Sequence, residues 1–280
     1  MSAIRDDVAA GRPLRVVYID AHGHFGTWMR TTIPWATDGG RLVAEMDRCG
    51  CDQVWMSASS PGYGGDVAAA NDRVFDLAEA HAGRVVPYCT LSANAQAQAE
   101  AEPRRCLARG PCVGVKMHRY NQPRYSLRAD WLQPVLERLA EARAVYLNHG
   151  FEDLDALLWA TQKYPQVTFV SGHFAPHIND LAAARPNLLD CTCAALTPGS
   201  VEAEVRRLGR SETMLLGSDF GLFHLGFGLG MVAYADLDEG DKENLIGRNA
   251  LRILRRMAWF DEASFGKPAG RRPSRGVRSC

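Results

Sequence analysis

Short apolar runs recur along the chain, and between them lie longer stretches whose apolar residues fall three or four apart. The short runs are Arg15–Asp20, Gln53–Ser57, Val85–Thr90, Val113–Met117, Ala144–Asn148, Val167–Ser171, Leu188–Cys191 and Met214–Gly217. They are rich in Val, Leu and Tyr with little polar alternation, as expected of strands buried on both faces of a parallel sheet. The intervening stretches carry helical spacing. Gly40–Cys49 has Leu42, Val43 and Met46, and Asp66–Ala80 has Val67, Ala70, Val74 and Leu77. Trp131–Ala142, Leu154–Lys163, Ile178–Ala184 and Val201–Leu208 continue the series, and Glu243–Met257 closes it. The Ala- and Gln-rich stretch from Ala93 to Arg109 is less clearly amphipathic.

Eight strand–helix units in one domain predict an α/β chain closed into a single (β/α)8 TIM barrel, a fold that takes about 250 residues. The alternative, an open doubly wound sheet, usually places a glycine-rich nucleotide loop after its first strand. Here that position reads Asp20-Ala-His-Gly-His-Phe-Gly26, offering imidazoles in place of a glycine cradle. The expected organisation is an N-terminal arm over 1–14, a barrel over 15–265 and a flexible basic tail over 266–280, rich in Gly, Pro, Ser and Arg. The apolar, glycine-studded stretch Phe220–Tyr234 reads as a long loop after the eighth strand, either lining a pocket or simply a buried connection.

Charge removes some function classes. Lys plus Arg total 32 and Asp plus Glu total 32, so the 280-residue chain has no basic excess for nucleic acid or membrane surfaces. No apolar stretch is long enough to span a bilayer, and residues 1–14 lack the apolar centre of a secretory signal, so a cytoplasmic protein is expected. None of the eight cysteines forms a Cys-x-x-Cys pair, and Cys112 and Cys191 lie in apolar runs as small buried hydrophobes.

The chemistry gathers at the carboxyl ends of the expected strands. His22 and His24 stand two apart, on one face if the strand continues, where two imidazoles can hold a divalent transition metal. Asp20 shares their parity as a ligand, a partner of a ligand or a structural acceptor. Lys116 and His118 close strand four, His149 follows strand five, His173 follows strand six and Asp219 follows strand eight. A barrel would bring all of them around one axis. His81 and His177 read as structural, whereas His224, in the glycine-rich stretch, could reach a substrate. Trp28 and Trp35 could wall an apolar substrate, and Ser57–Gly65 reads as a flexible loop.

In order along the chain, IDAHGH (Ile19–His24), GVKMH (Gly114–His118), LNHG (Leu147–Gly150), SGHF (Ser171–Phe174), NLLDCT (Asn187–Thr192), LLGSDF (Leu215–Phe220) and GRNALRIL (Gly247–Leu254) resemble the amidohydrolase superfamily. The likeness is to its amidohydrolase-related branch, family 2, which includes aminocarboxymuconate-semialdehyde decarboxylase-like enzymes, and it spans roughly Val16 to Leu254. The resemblance implies that His22, His24, His149 and Asp219 bind metal, with Lys116 joining them only if carboxylated. It implies that Asp219 also shuttles a proton and that His173 orients or deprotonates water. Lys116, His118 and His224 are the substrate-binding candidates. The expected cofactor is one or two divalent ions, zinc first and manganese or another metal next. The expected partner is a small-molecule substrate, and the family implies a homodimer. The first functional expectation is metal-dependent hydrolysis of an amide, lactone or ester. Non-oxidative decarboxylation of a small, aromatic or other carboxylic acid is the alternative, and a non-catalytic barrel is the third.

Overall fold

The computed structural model describes residues 2–27, 37–59, 65–119, 122–197, 199–262 and 265. Trp28, Trp35, most of the expected loop after strand two and the 266–280 tail lie outside the described residues.

Eight parallel strands follow one another around a (β/α)8 barrel in the order of the sequence. They are β1 (Ile19–Phe25), β2 (Gln53–Ala58), β3 (Val85–Thr90), β4 (Gly114–Met117), β5 (Val145–Asn148), β6 (Thr168–Ser171), β7 (Leu188–Cys191) and β8 (Met214–Leu215). Backbone bonds between the last and first strands complete the ring. Ala21 N–H donates to the Leu216 carbonyl at 2.9 Å, and His24 N–H donates to the Phe220 carbonyl at 2.7 Å.

The first strand differs from the expected Arg15–Asp20. Pairing with β2 begins only at Ile19, because the Tyr18 N–H is taken by the Asp52 carboxylate at 2.9 Å. It then continues to Phe25, because Phe220 and β2 offer backbone partners on both sides. Both histidines therefore lie inside the strand, His22 within a register shift between Asp20 and Gly23 and His24 just past it.

The outer layer is built from α1 (Ala3–Ala9), α2 (Gly39–Cys49), α3 (Val67–Ala80), α4 (Ala101–Arg109), α5 (Gln133–Ala142), α6 (Leu154–Lys163), α7 (Pro176–Ala182), α8 (Ser200–Leu208) and α9 (Leu225–Ala233). Asp38, Asp66 and Asp153 cap α2, α3 and α6 by accepting a backbone N–H three residues on, at 2.9–3.0 Å. Within the expected N-terminal arm, α1 buries Ile4 and Asp7. The stretch expected as a loop over Phe220–Tyr234 contains α9, whose Leu225, Leu229 and Val232 are buried. Phe223, Phe227 and Tyr234 of the same stretch stay exposed, so only part of its apolar content serves packing, and the glycines do not prevent the helix. The Ala93–Arg109 stretch divides into a 3-10 turn, Ala93–Gln98, and α4.

The closing helix is likewise divided into α10 (Glu239–Glu243), a π turn over Asn244–Arg248, and α11 (Asn249–Leu254). At Gly247 the turn meets the lead-in to β1 so closely that a Cβ would sit 1.9 Å from the Val17 carbonyl oxygen. An interior cluster of Ile19, Trp55, Tyr88, Val145, Leu147, Val170 and Leu215 is joined by Ile253 and Leu254 from the closing helix and Met257 just after it. This apolar packing supports the polar strand ends beyond it.

Candidate metal centre

Five of the eight histidines stand in one continuous row of ring contacts. From His24 it runs to His22 (centroids 5.2 Å apart), then His173 (5.4 Å), His149 (3.9 Å) and His118 (4.0 Å). These side chains come from β1, β4, β5 and β6 and the residues that follow them, so only the closed ring of strands can bring them together.

Two of the rings are fixed by their backbone partners. The Nδ1 of His22 is 2.6 Å from the Gly172 carbonyl oxygen, and that of His24 is 3.2 Å from the Ala58 carbonyl oxygen. A carbonyl can only accept, so the His22 Nδ1 carries the hydrogen; the His24 Nδ1, which also meets the Ser57 hydroxyl at 3.2 Å, carries it when it donates to Ala58, and each Nε2 then presents a lone pair. The two Nε2 atoms face each other at 3.2 Å, and Asp219 Oδ1 stands 3.3 Å from the first and 3.1 Å from the second. That oxygen is buried and accepts no hydrogen bond among the described residues. Three lone-pair donors converging on one buried point repel unless a cation lies among them. The Lys116 ammonium already points there, in contact with both Nε2 atoms. The donor set therefore fits a divalent metal.

His22 and Asp219 also belong to a second, overlapping set. Ligand atoms of His22, His173, Cys193 and Asp219 all lie within 4.8 Å of one another. Cys193 was absent from the sequence expectations, because a cysteine two residues beyond an apolar run carries no local sign of a polar neighbourhood. His149 stands one ring further out, stacked between His173 and His118.

Close approach of three strands makes this crowding possible. A Cβ on Gly217 would lie 2.3 Å from Cys191 Sγ and 2.8 Å from His22 Cβ. Asp219 takes a positive φ of 59°, a conformation that costs a non-glycine residue about 1 kcal/mol or more. That turn aims its carboxylate back at the imidazoles. Asp20 is placed as a backbone acceptor, its Oδ1 taking the N–H groups of His22 at 3.0 Å and Ser218 at 3.2 Å and so tying β1 to the residues after β8.

Electrostatics sets the resting protonation. Burial, and then the Lys116 charge, holds His22 and His24 below the ordinary imidazole range. Burial lowers His118 to about 3 and His173 to about 4, and it also lowers His149. The rings are thus neutral, the form that donates a lone pair to a metal. Burial alone would raise the Asp219 carboxyl; positive charge on His22, His24 and Lys116 is what would hold it well below the usual carboxylate range, and with both rings neutral that charge is the Lys116 ammonium. Burial brings Lys116 down to about 8, pushes Asp20 up to about 7, and keeps the Cys193 thiol well above its usual range.

His224 is placed elsewhere. Its Nδ1 accepts the Gly226 N–H at 2.9 Å, capping α9, and its Nε2 contacts Glu45 of α2. His81 caps the end of α3.

Comparison with known proteins follows the same lines. The sequence model of the amidohydrolase family matches residues 19–256. The chain belongs to the amidohydrolase family. No curated protein matches it. Among solved structures, 5-carboxyvanillate decarboxylase from Novosphingobium aromaticivorans, bound to manganese and 4-hydroxy-3-methoxy-5-nitrobenzoic acid, is similar with a TM-score of 0.67 at 14% identity, covering 85% of this chain and 96% of that one. The 2,6-dihydroxybenzoate decarboxylase from Rhizobium has a TM-score of 0.66 at 12% identity, covering 85% and 98%. An uncharacterised TIM-barrel protein from Bordetella bronchiseptica has a TM-score of 0.69 at 15% identity, covering 87% and 99%. At such identities the likeness is one of fold. Family and fold are those of amidohydrolase-superfamily enzymes, and among the described residues no helix is long and apolar enough to cross a membrane.

Proposed function

We propose that this amidohydrolase-family protein is a metal-dependent, non-oxidative decarboxylase of a small aromatic carboxylic acid. The observation that carries the metal is the convergence of His22 Nε2, His24 Nε2 and Asp219 Oδ1 within 3.1–3.3 Å at a buried point. What supports decarboxylation over the hydrolysis first expected is the kind of enzyme this fold resembles. Two of the similar structures are decarboxylases, and one of them was solved with manganese and a substituted hydroxybenzoic acid.

His22, His24 and Asp219 would hold the ion, with His149 and His173 adjoining. A divalent ion would polarise the substrate carboxylate and its neighbouring oxygen. The net change replaces the carboxyl group by a proton from solvent and releases carbon dioxide. Asp219, ionised at rest, would carry that proton to the carbon that loses the carboxyl group. The neutral His118, His149 and His173 would donate N–H hydrogen bonds to substrate oxygens. Lys116 and the exposed Arg119 would supply positive charge to hold the acid in place.

The test is turnover of hydroxybenzoic acids by protein loaded with manganese or zinc, read as carbon dioxide released. Asp219→Asn should lose about 10²- to 10⁴-fold in turnover while remaining folded. Full activity in that variant would remove the proton role. Incorporation of heavy oxygen from water into the product of an ester, lactone or amide, with no carbon dioxide from any acid, would return the function to hydrolysis.

A further inference from the structure

We propose that Cys193 is a sulfur ligand of the metal centre and biases it toward thiophilic divalent ions such as zinc, cobalt and cadmium over manganese; this rests on the metal-binding reading above. Cys193 is fully buried, and its Sγ shares a 4.8 Å neighbourhood with donor atoms of His22, His173 and Asp219. Around a tetrahedral zinc-sized ion, nitrogen and sulfur donors stand about 3.6 Å apart, so atoms within 4.8 Å of one another would draw together by up to about 1 Å to share an ion.

The backbone fixes the thiol there. After β7 the Cys193 carbonyl accepts the Phe174 N–H at 2.8 Å, which ties it to the residue beside His173. The next residue, Ala194, turns at a φ of 60°. Gly217 leaves the opening, since a Cβ there would come within 3.5 Å of Cys193 Cβ and 2.8 Å of His22 Cβ.

Among the side chains at this point, sulfur is the one soft donor in a set otherwise of imidazole and carboxylate. Softness of the ligands, more than raw affinity, sorts zinc and cobalt from manganese. Binding would exchange one thiol proton, released to solvent, for one metal–sulfur bond.

Cobalt titrated into the metal-free full chain provides the test. A sulfur-to-cobalt charge-transfer band in the near ultraviolet is expected, retained in Cys49→Ser and lost in Cys193→Ser. In competition, the wild-type preference for cadmium over manganese should fall by about tenfold or more in Cys193→Ser, the scale on which even outer partners of a metal act. Cobalt bound with visible ligand-field bands but no charge-transfer band in the wild-type protein would overturn the sulfur ligand and leave the metal centre standing. A band that survives Cys193→Ser would overturn it as well. No cobalt bound at all would overturn both. Should Cys193→Ser fold poorly, Cys193→Ala and the wild-type spectrum decide the question in the same way.

Discussion

Gly217→Ala tests whether the strands around the candidate metal centre are as tightly fitted as their geometry requires. The added methyl would stand 2.3 Å from Cys191 Sγ, 2.8 Å from His22 Cβ and 3.5 Å from Cys193 Cβ. Comfortable contact between such atoms is about 3.5–4.0 Å, so the sulfur must retreat by about 1 Å or more and His22 by roughly 0.7 Å. Neither has room, because Cys191 and His22 are fully buried and His22 is anchored through Nδ1 to the Gly172 carbonyl. Overpacking of this kind costs about 1–3 kcal/mol. For a chain of this size each kcal/mol is worth about 2–4 °C, so Tm should drop by roughly 2–12 °C. Displacement of His22 should also weaken metal binding and lower turnover by up to about 10²-fold, the scale of a 1 Å misplacement. Thermal denaturation of the metal-free protein and cobalt titration read the two effects separately. Adding Cys191→Ala should restore part of the stability but not the metal affinity, because the clash with His22 remains. A Gly217→Ala protein with wild-type Tm and wild-type cobalt affinity would refute the reasoning, since it would mean that β1, β7 and the segment after β8 separate freely.

Other outcomes follow from the same structure. Because burial lowers His118 to about 3 and His173 to about 4, the unfolded chain takes up protons on these residues first as pH falls below about 6.5. The metal-free protein should therefore lose stability from about pH 6.5 downward, by about 1–2 kcal/mol per ring on reaching pH 5, and level off only near pH 3–4. Urea midpoints at pH 7 and 5 measure this, and equal midpoints would contradict it. His224→Ala removes the α9 cap and the Glu45 contact, so it should cost about 1 kcal/mol of stability and leave turnover unchanged. A large loss of turnover with unaltered KM would place His224 at the chemistry after all.

The barrel and the clustering of most of the candidate donors were legible along the chain because both depend on local rules. Uninterrupted apolar runs such as Val145–Asn148 become strands buried on both faces, and strands joined by helical stretches take one direction. Polar residues such as His149, His173 and Asp219 follow such runs and so fall at one end of the barrel. Strand limits were less legible. Val16 and Val17 look like strand, yet the Asp52 carboxylate takes the N–H of Tyr18 and the π turn at Gly247 packs closely on the Val17 carbonyl, and β1 extends instead through both histidines.

What the sequence by itself determined was which side chains could serve as donors and at which end of the barrel they would stand. Only the tertiary structure decided which of them meet. It brings Cys193 within 4.8 Å of the donor atoms of His22 and Asp219, sets His149 one ring further out and gives His224 to Glu45 on the outer layer. The physical reason is that these contacts join residues far apart in the chain, through ring closure between β1 and the segment after β8, a left-handed turn at Asp219 and the missing side chain at Gly217. Local spacing carries no record of such distances.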